Sequence, residues 1–258
     1  NTSGEKGPIQ AGEAHTARAD FVNLYASKGT ANITALKVLD GGTLGAGQYA
    51  FQLTSECGTL QRKAYNDKNG KVDFGKIRYT DADDGKTFKY VINEIPGSRL
   101  GVTYSTSSIK ATVRVTDNGD GTMACAVTYG GGDGTDDQKA EDKSAKRLIN
   151  TYSATGQTAL IAWKTLENGE LADGQYTFKI EPAKGSSNAP MPTATEAANA
   201  ADGMVSFGPI DFTQDNCGAS YSYLVSEIAK ENDSTTVYDK SSLKYTVTPK
   251  DNADGTIS

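Results

Sequence analysis

The chain repeats itself, and a repeat constrains a fold more than any composition does. Leu36-Lys37-Val38-Leu39-Asp40-Gly41-Gly42-Thr43-Leu44 is followed by Gly47-Gln48-Tyr49-Ala50-Phe51. The pattern returns as Trp163-Lys164-Thr165-Leu166-Glu167-Asn168-Gly169-Glu170-Leu171, then Gly174-Gln175-Tyr176-Thr177-Phe178, with the two lysines 127 residues apart. A second block runs from Gly70-Lys71-Val72-Asp73-Phe74-Gly75 to Tyr90-Val91-Ile92-Asn93-Glu94. Its partner runs from Gly203-Met204-Val205-Ser206-Phe207-Gly208 to Tyr223-Leu224-Val225-Ser226-Glu227, the glutamates 133 apart. A third pairs Asp117-Asn118-Gly119-Asp120-Gly121-Thr122 with Asp251-Asn252-Ala253-Asp254-Gly255-Thr256, 134 apart. Self-similarity at one period marks a duplicated structural unit. The small drift in offset places short insertions in loops, the largest being the polar, Ala-rich residues 185–202, where a helical turn is expected.

The repeats divide the chain into residues 27–153 and 154–258. The first continues past its Asp/Gly turn through Val127-Thr128-Tyr129 and a Gly/Asp/Lys-rich loop to Leu148-Ile149-Asn150-Thr151-Tyr152. The second stops just after the same turn, so its final strand is missing. Residues 1–26 supply the complement: Asp20-Phe21-Val22-Asn23-Leu24-Tyr25 resembles Arg147-Leu148-Ile149-Asn150-Thr151-Tyr152 and reads as the last strand of a preceding repeat. On this reading the sequence is cut out of phase with its domains.

Segments of alternating character between Gly-rich turns are the signature of an all-β sandwich. Tyrosine (13) outnumbering phenylalanine (7), with 28 glycines, suits half-buried pleated surfaces joined by many turns. The expected architecture is a pair of tandem immunoglobulin-like β-sandwiches in an elongated stalk. A net charge of −6 disfavours nucleic acid as a partner, and no apolar run is long enough for membrane insertion. The three cysteines (Cys57, Cys125, Cys217) lack metal-ligand spacing, and His15 is the lone histidine, so no metal or other cofactor is expected. Cys125 sits in the apolar run Met123-Ala124-Cys125-Ala126-Val127 as an inert thiol, and a Cys57–Cys217 bridge would join different repeats and is not expected.

Three polar residues point the wrong way. Side chains two apart in a strand share a face. Ile33, Ala35, Lys37 and Leu39 therefore line up, as do Leu160, Ala162, Lys164 and Leu166. Phe88, Tyr90, Ile92 and Glu94 share a face, as do Tyr221, Tyr223, Val225 and Glu227. On the last strand Leu148, Asn150 and Tyr152 align, and before the first repeat Phe21, Asn23 and Tyr25 do the same. Each repeat thus directs a lysine and a glutamate at its core, and the first directs an asparagine there too. Unpaired buried charges cost several kcal/mol each. The plain alternative is a snorkelling lysine and a rim glutamate; duplication alone would preserve both.

Leu-Lys-x-Leu, Gly-Gln-Tyr-x-Phe, Tyr-x-Ile-x-Glu, Asp-Asn-Gly-Asp-Gly-Thr and Ile-Asn-Thr-Tyr, in this order, resemble the streptococcal pilin isopeptide-linkage domain. That family is grouped with the collagen-adhesin B-type, immunoglobulin-like modules of Gram-positive surface proteins. The resemblance covers the whole first repeat, the second except its final strand, and residues 20–25. It implies an amide between a first-strand lysine and a last-strand asparagine, assisted by a buried acid: Lys37 with Asn150 and Glu94. In the second repeat it implies Lys164 with Glu227, and the asparagine is missing; truncation is the plain account, and the sharper one is Asn23 of a neighbouring molecule supplied in trans by strand insertion. Burial disfavours both ammonium and carboxylate, which makes the lysine a nucleophile and lets the acid polarise the Asn carbonyl. The reaction occurs once, so the chain is no enzyme. The resemblance also implies an extracellular, cell-wall-anchored location on a Gram-positive-type bacterium, with adjacent repeats as partners.

A host-matrix- or carbohydrate-binding sandwich is the rival function, since fold alone cannot separate it from a spacer. A binding module would show an exposed aromatic patch peculiar to one copy. Trp163, beside Lys164, is expected to shield the bond region. The Asp117-to-Thr122 segment lacks the acid spacing of a calcium loop and reads as a hairpin turn.

Overall fold

The computed structural model describes residues 21–134 and 146–258. In the first repeat the strands are β1 (Lys28–Asp40), β2 (Ala50–Ser55), β3 (Gln61–Tyr65), β4 (Lys71–Thr80), β5 (Thr87–Ile95), β6 (Val102–Thr103), β7 (Ser108–Asp117), β8 (Met123–Gly131) and β9 (Arg147–Tyr152). The second repeat contributes β10 (Thr155–Trp163), β11 (Thr177–Pro182), β12 (Glu196–Ala198), β13 (Met204–Thr213), β14 (Tyr221–Ile228) and β15 (Ser242–Val247). The protein is all-β, as its alternation demands. Short 3-10 turns occur at Asp81–Asp83 and Gln214–Asn216. The helical turn expected within residues 185–202 is absent: that insertion forms turns and β12, and Pro190 and Pro192 interrupt any helical ladder there.

The first repeat is a sandwich of a sheet ordered β4-β1-β9-β6 on a sheet ordered β3-β2-β5-β7-β8. Ile33, Phe51, Leu53, Val72, Ile92, Ile109, Val113 and Leu148 fill the space between and are completely buried. First and last strands lie side by side and parallel, Leu36 to Asp40 pairing with Arg147 to Thr151. A parallel pair cannot be joined by a hairpin; the whole domain is the connection.

The second repeat keeps this plan with one sheet reduced. β12-β11-β14-β15 form a four-stranded sheet, but β10 pairs only with β13. β1 runs thirteen residues and β10 nine. The residues of the second repeat that match the β9-paired stretch of β1 are Trp163 to Glu167, and all after Trp163 lie outside strands. A strand extends only as far as its ladder has partners, and the partner is missing among the described residues.

Residues 21–27 form no strand, and Phe21, Val22 and Leu24 are almost wholly exposed. The expectation of a last strand falls on a segment with no sheet beside it here; residues 1–20 lie outside the described part.

Candidate functional site: a buried Lys–Glu–Asn cluster

Alternation in β1 turns Lys37 inward beneath β5 and β9, and the same rule turns Glu94 and Asn150 to meet it. Lys37 is 1% exposed, Glu94 7% and Asn150 0%. Lys37 Nζ donates to Glu94 Oε2 at 2.7 Å. Asn150 Nδ2 donates to Glu94 Oε1 at 2.7 Å. One carboxylate therefore bridges the amine and the amide. Burial, outweighing the attraction of Glu94, lowers the Lys37 pKa below the ordinary lysine range. The three residues expected to cluster are together.

Further groups complete the cluster. Ser105 N–H donates to Asn150 Oδ1 at 2.8 Å, the position of a donor that polarises a carbonyl under attack. Asp133 Oδ2 accepts from Ser105 Oγ at 2.6 Å and from Ile149 N–H at 2.7 Å. It ties the Ser105 loop to β9 on either side of Asn150. Burial alone would raise the Asp133 pKa, but hydrogen bonds from Ser105, Ser107 and Ile149 and the charge of Lys37 hold it below the usual carboxylate value. The Tyr49 ring lies 5.0 Å from Lys37 Nζ, and Phe51 lies 6.0 Å away. Buried Asn66 fixes Tyr49 by accepting its N–H at 2.8 Å while donating to Gly45 and Asp67 carbonyls.

The second repeat reproduces half of this. Lys164 Nζ sits 2.9 Å from Glu227 Oε1 and donates to Oε2 at 3.0 Å. The Tyr176 ring lies 4.5 Å from the amine, and Asn199 pins Tyr176 as Asn66 pins Tyr49. Glu227 Oε1 is buried and faces the Lys164 amine with no amide donor beside it; its counterpart on Glu94 accepts from Asn150. The lysine side chain is 12% exposed, against 0% for Lys37. Asn23 lies in the exposed leading segment, and no contact joins it to Lys164 or Glu227. Trp163 is 64% exposed and does not shield the pair, because it occupies the opposite face of β10 from the core. Its counterpart Leu36 is buried.

Ser105 and Asp133 were invisible to alternation because both lie outside periodic segments and occur in one copy only. Tyr49, Tyr176, Asn66 and Asn199 did carry a signal. Gly-Gln-Tyr marks where β2 and β11 begin, but its tyrosine also covers the amine. Each asparagine stands four residues before the paired Gly70 or Gly203.

These features define a class: tandem β-sandwiches built around a core lysine–glutamate pair. A family profile described as the Spy0128-like isopeptide containing domain (FctA) matches residues 33–153 and again residues 160–258. The chain belongs to this family, and its repeats are pilin-type structural domains of Gram-positive pili. Among solved structures, the major pilin protein of Streptococcus pyogenes serotype GAS13637 is 14% identical with a TM-score of 0.34, covering 91% of this chain and 97% of that one. Another major pilin from Streptococcus pyogenes is 15% identical with a TM-score of 0.33, covering 81% and 83%. A form of BcpA, the major pilin subunit of Bacillus cereus, is 9% identical with a TM-score of 0.23, covering 90% and 97%. No protein curated for function is significantly similar. Among the described residues no helix is long and apolar enough to cross a membrane.

Proposed function

We propose that the chain is a load-bearing segment of a wall-anchored pilus or adhesin, self-stabilised by an amide between Lys37 and Asn150. The bridging position of Glu94 carries this reading. The Lys37 amine attacks the side-chain carbonyl carbon of Asn150, whose oxygen is held by the Ser105 N–H. The C–Nζ bond forms and the C–Nδ2 bond breaks. Glu94 takes a proton from Nζ at Oε2 and delivers one through Oε1 to Nδ2, which leaves as ammonia. Packing both partners in one core supplies the effective concentration. The step happens once, requires no cofactor, and makes the chain its own substrate rather than an enzyme.

The test is intact mass followed by peptide mapping. The expected result is a deficit of one ammonia with Lys37- and Asn150-containing peptides joined, and full mass for Glu94→Ala. Full mass in the unaltered protein would sink the proposal.

Three observations support a second bond site at Lys164: the unpaired edge of β10, Glu227 Oε1, which meets the Lys164 amine but no amide donor, and Trp163, exposed where Leu36 is buried. All are accounted for by a last strand delivering an asparagine beside Glu227. Within this sequence Asn23 has the matching context, and a second copy would deliver it, adding residues 20–25 to β10 as β9 adds to β1. Covalent ladders on a denaturing gel, with Lys164 peptides joined to Asn23 peptides, are expected. Monomers alone at high concentration would rule out delivery in trans while leaving the Lys37 bond untouched.

A further inference from the structure

Each Asp-Asn-x-Asp-Gly-Thr turn holds the hydroxyl of a tyrosine from the segment before its repeat. Tyr152, at the end of β9, donates to Asp251 Oδ1 at 2.7 Å, and Gly255 N–H donates back to the tyrosine oxygen at 3.0 Å. Tyr25 does the same one repeat earlier: it donates to Asp117 Oδ1 at 2.8 Å and accepts from Gly121 N–H at 3.0 Å. The surroundings match as well. Thr155 bridges Thr256 in parallel, and Lys28 bridges Thr122 likewise. Ala154 and Ser27, two residues beyond each tyrosine, are both buried.

The turn is shaped for this contact before the tyrosine arrives. Asp117 Oδ1 also accepts Gly119 N–H, and Asp251 Oδ1 accepts Ala253 N–H, both at 2.8 Å. Asp120 and Asp254 hold the N–H and hydroxyl of Thr122 and Thr256. The carboxylate is therefore fixed, and the φ of +86° at Gly121 and +88° at Gly255 falls in the left-handed region that glycine adopts freely.

The other side of the contact is equally built. A Cβ at Gly101 would lie 2.4 Å from the Ser153 carbonyl oxygen and 2.6 Å from Gly255 Cα, so the two repeats touch backbone to backbone there. A Cβ at Gly41 would meet the Tyr152 carbonyl oxygen at 2.5 Å. Ser153 N–H donates to the Gly101 carbonyl and Thr155 N–H to the Gly255 carbonyl. The connection between β9 and β10 is thus pinned to one repeat on one side and to the next on the other. The left-handed turn at Gly41 has its counterpart at Asn168, with φ of 57°, so the far end of the second repeat keeps the same shape.

We propose that these turns are tyrosine sockets whose partner is the end of the last strand of another repeat of this same fold, and that the socket sets a fixed angle between successive repeats. Tyr152 in the Asp251 turn is the joint within this chain. Tyr25 in the Asp117 turn is the same joint offered to a preceding repeat, in which Phe21 would be buried as its counterpart Leu148 is in β9.

The test reads interdomain geometry, not stability. Spin labels at Lys63→Cys and Lys244→Cys, in a background with Cys57, Cys125 and Cys217 replaced by serine, report the distance between repeats by pulsed electron resonance. A single narrow distribution is expected, broadening at least about twofold in Tyr152→Phe, because short-linked domains move freely unless their interface holds them. Both thermal transitions should stay in place. An unchanged width in Tyr152→Phe would overturn the proposal. Should that variant lose the second transition, Gly101→Ala decides: it wedges the backbone contact without entering either core, and an unshifted, unbroadened distribution would be equally fatal.

Discussion

The double variant Lys37→Met/Glu94→Gln isolates the covalent contribution of the proposed bond. Removing either residue alone would leave a buried charge unpaired, at about 3–5 kcal/mol. Removing both avoids this, and in the cross-linked protein Lys37 is already an uncharged amide, so the double replacement gives up no ion pair. Glutamine keeps an oxygen for Asn150 Nδ2 and leaves its own N–H₂ facing an apolar neighbour, a cost of about 1–3 kcal/mol. The non-covalent change is therefore about 1–3 kcal/mol, smaller than the covalent one. What remains is the tether. Lys37 and Asn150 are 113 residues apart, and cross-linking a loop of that length restricts the unfolded chain by about 5 kcal/mol. With unfolding entropy near 2.1 cal/mol/K per residue over a repeat of this size, the first transition should fall by roughly 15–20 °C. Differential scanning calorimetry of the whole chain reads this directly, with the second repeat's transition as internal control. Reductant should change nothing, because Cys57, Cys125 and Cys217 are free thiols. A fall below about 5 °C, measured against protein whose mass shows the ammonia deficit, would refute the tether as the source of stability.

Asp133→Ala removes the group that binds the Ser105 loop to β9; protein purified soon after synthesis should contain unreacted chains by mass, while the unaltered protein contains none. Gly70→Ala and Gly203→Ala place a Cβ 2.2 Å from the Lys37 carbonyl oxygen and 2.3 Å from that of Lys164, at φ of +88° and +91°. Each should destabilise its own repeat by about 2 kcal/mol or more and leave the other's transition in place. Cys57 is exposed, and hydrogen bonds from Ser55 and Thr59 lower its thiol pKa to about 7. Its alkylation should rise with pH and reach half its maximal rate near pH 7, ahead of Cys125, whose pKa burial raises.

Period-two alternation placed Lys37, Glu94 and Asn150 on core faces because each shares its face with residues such as Ile33, Ile92 and Leu148 that have no other place to go. A charge in such a row contradicts the hydrophobic pattern, and the contradiction was legible. The second repeat was harder. Lys164 and Glu227 follow the same pattern, but Lys164 lies just past the end of β10, since that stretch of the strand has no partner among the described residues. Trp163 was expected to shield the bond region and does not, because its neighbour Lys164 turns inward and Trp163 therefore turns out. Ser105 acts through its backbone N–H, which has no side-chain signature. Asp133 works from a loop, where the residue type says turn before it says ligand. The Asp117-to-Thr122 turn was recognisable as a turn, yet its use as a socket depends on a tyrosine 92 residues earlier in sequence, a separation that no local pattern spans.

Bond and socket divide the mechanical task between them. Tension entering at Lys28 runs along β1 to Lys37, crosses the proposed amide to Asn150, and reaches Tyr152 two residues later. Residues 38–149 are then bypassed, and the Asp117 turn that grips Tyr25 lies inside that bypassed segment. Stretching cannot pull the socket apart from within; its hydrogen bonds resist bending, and the amide resists extension. Single-molecule pulling separates the two repeats on this basis. The first should show no unfolding step before the attachment fails. The second, without a tether, should unfold in one step of roughly 340 Å at ~3.4 Å per residue. Lys37→Met/Glu94→Gln should add a new step. The strands it releases run from Lys28 to Tyr152, a contour of roughly 430 Å. A step of that size in the unaltered protein would show that force passes through the fold and not around it.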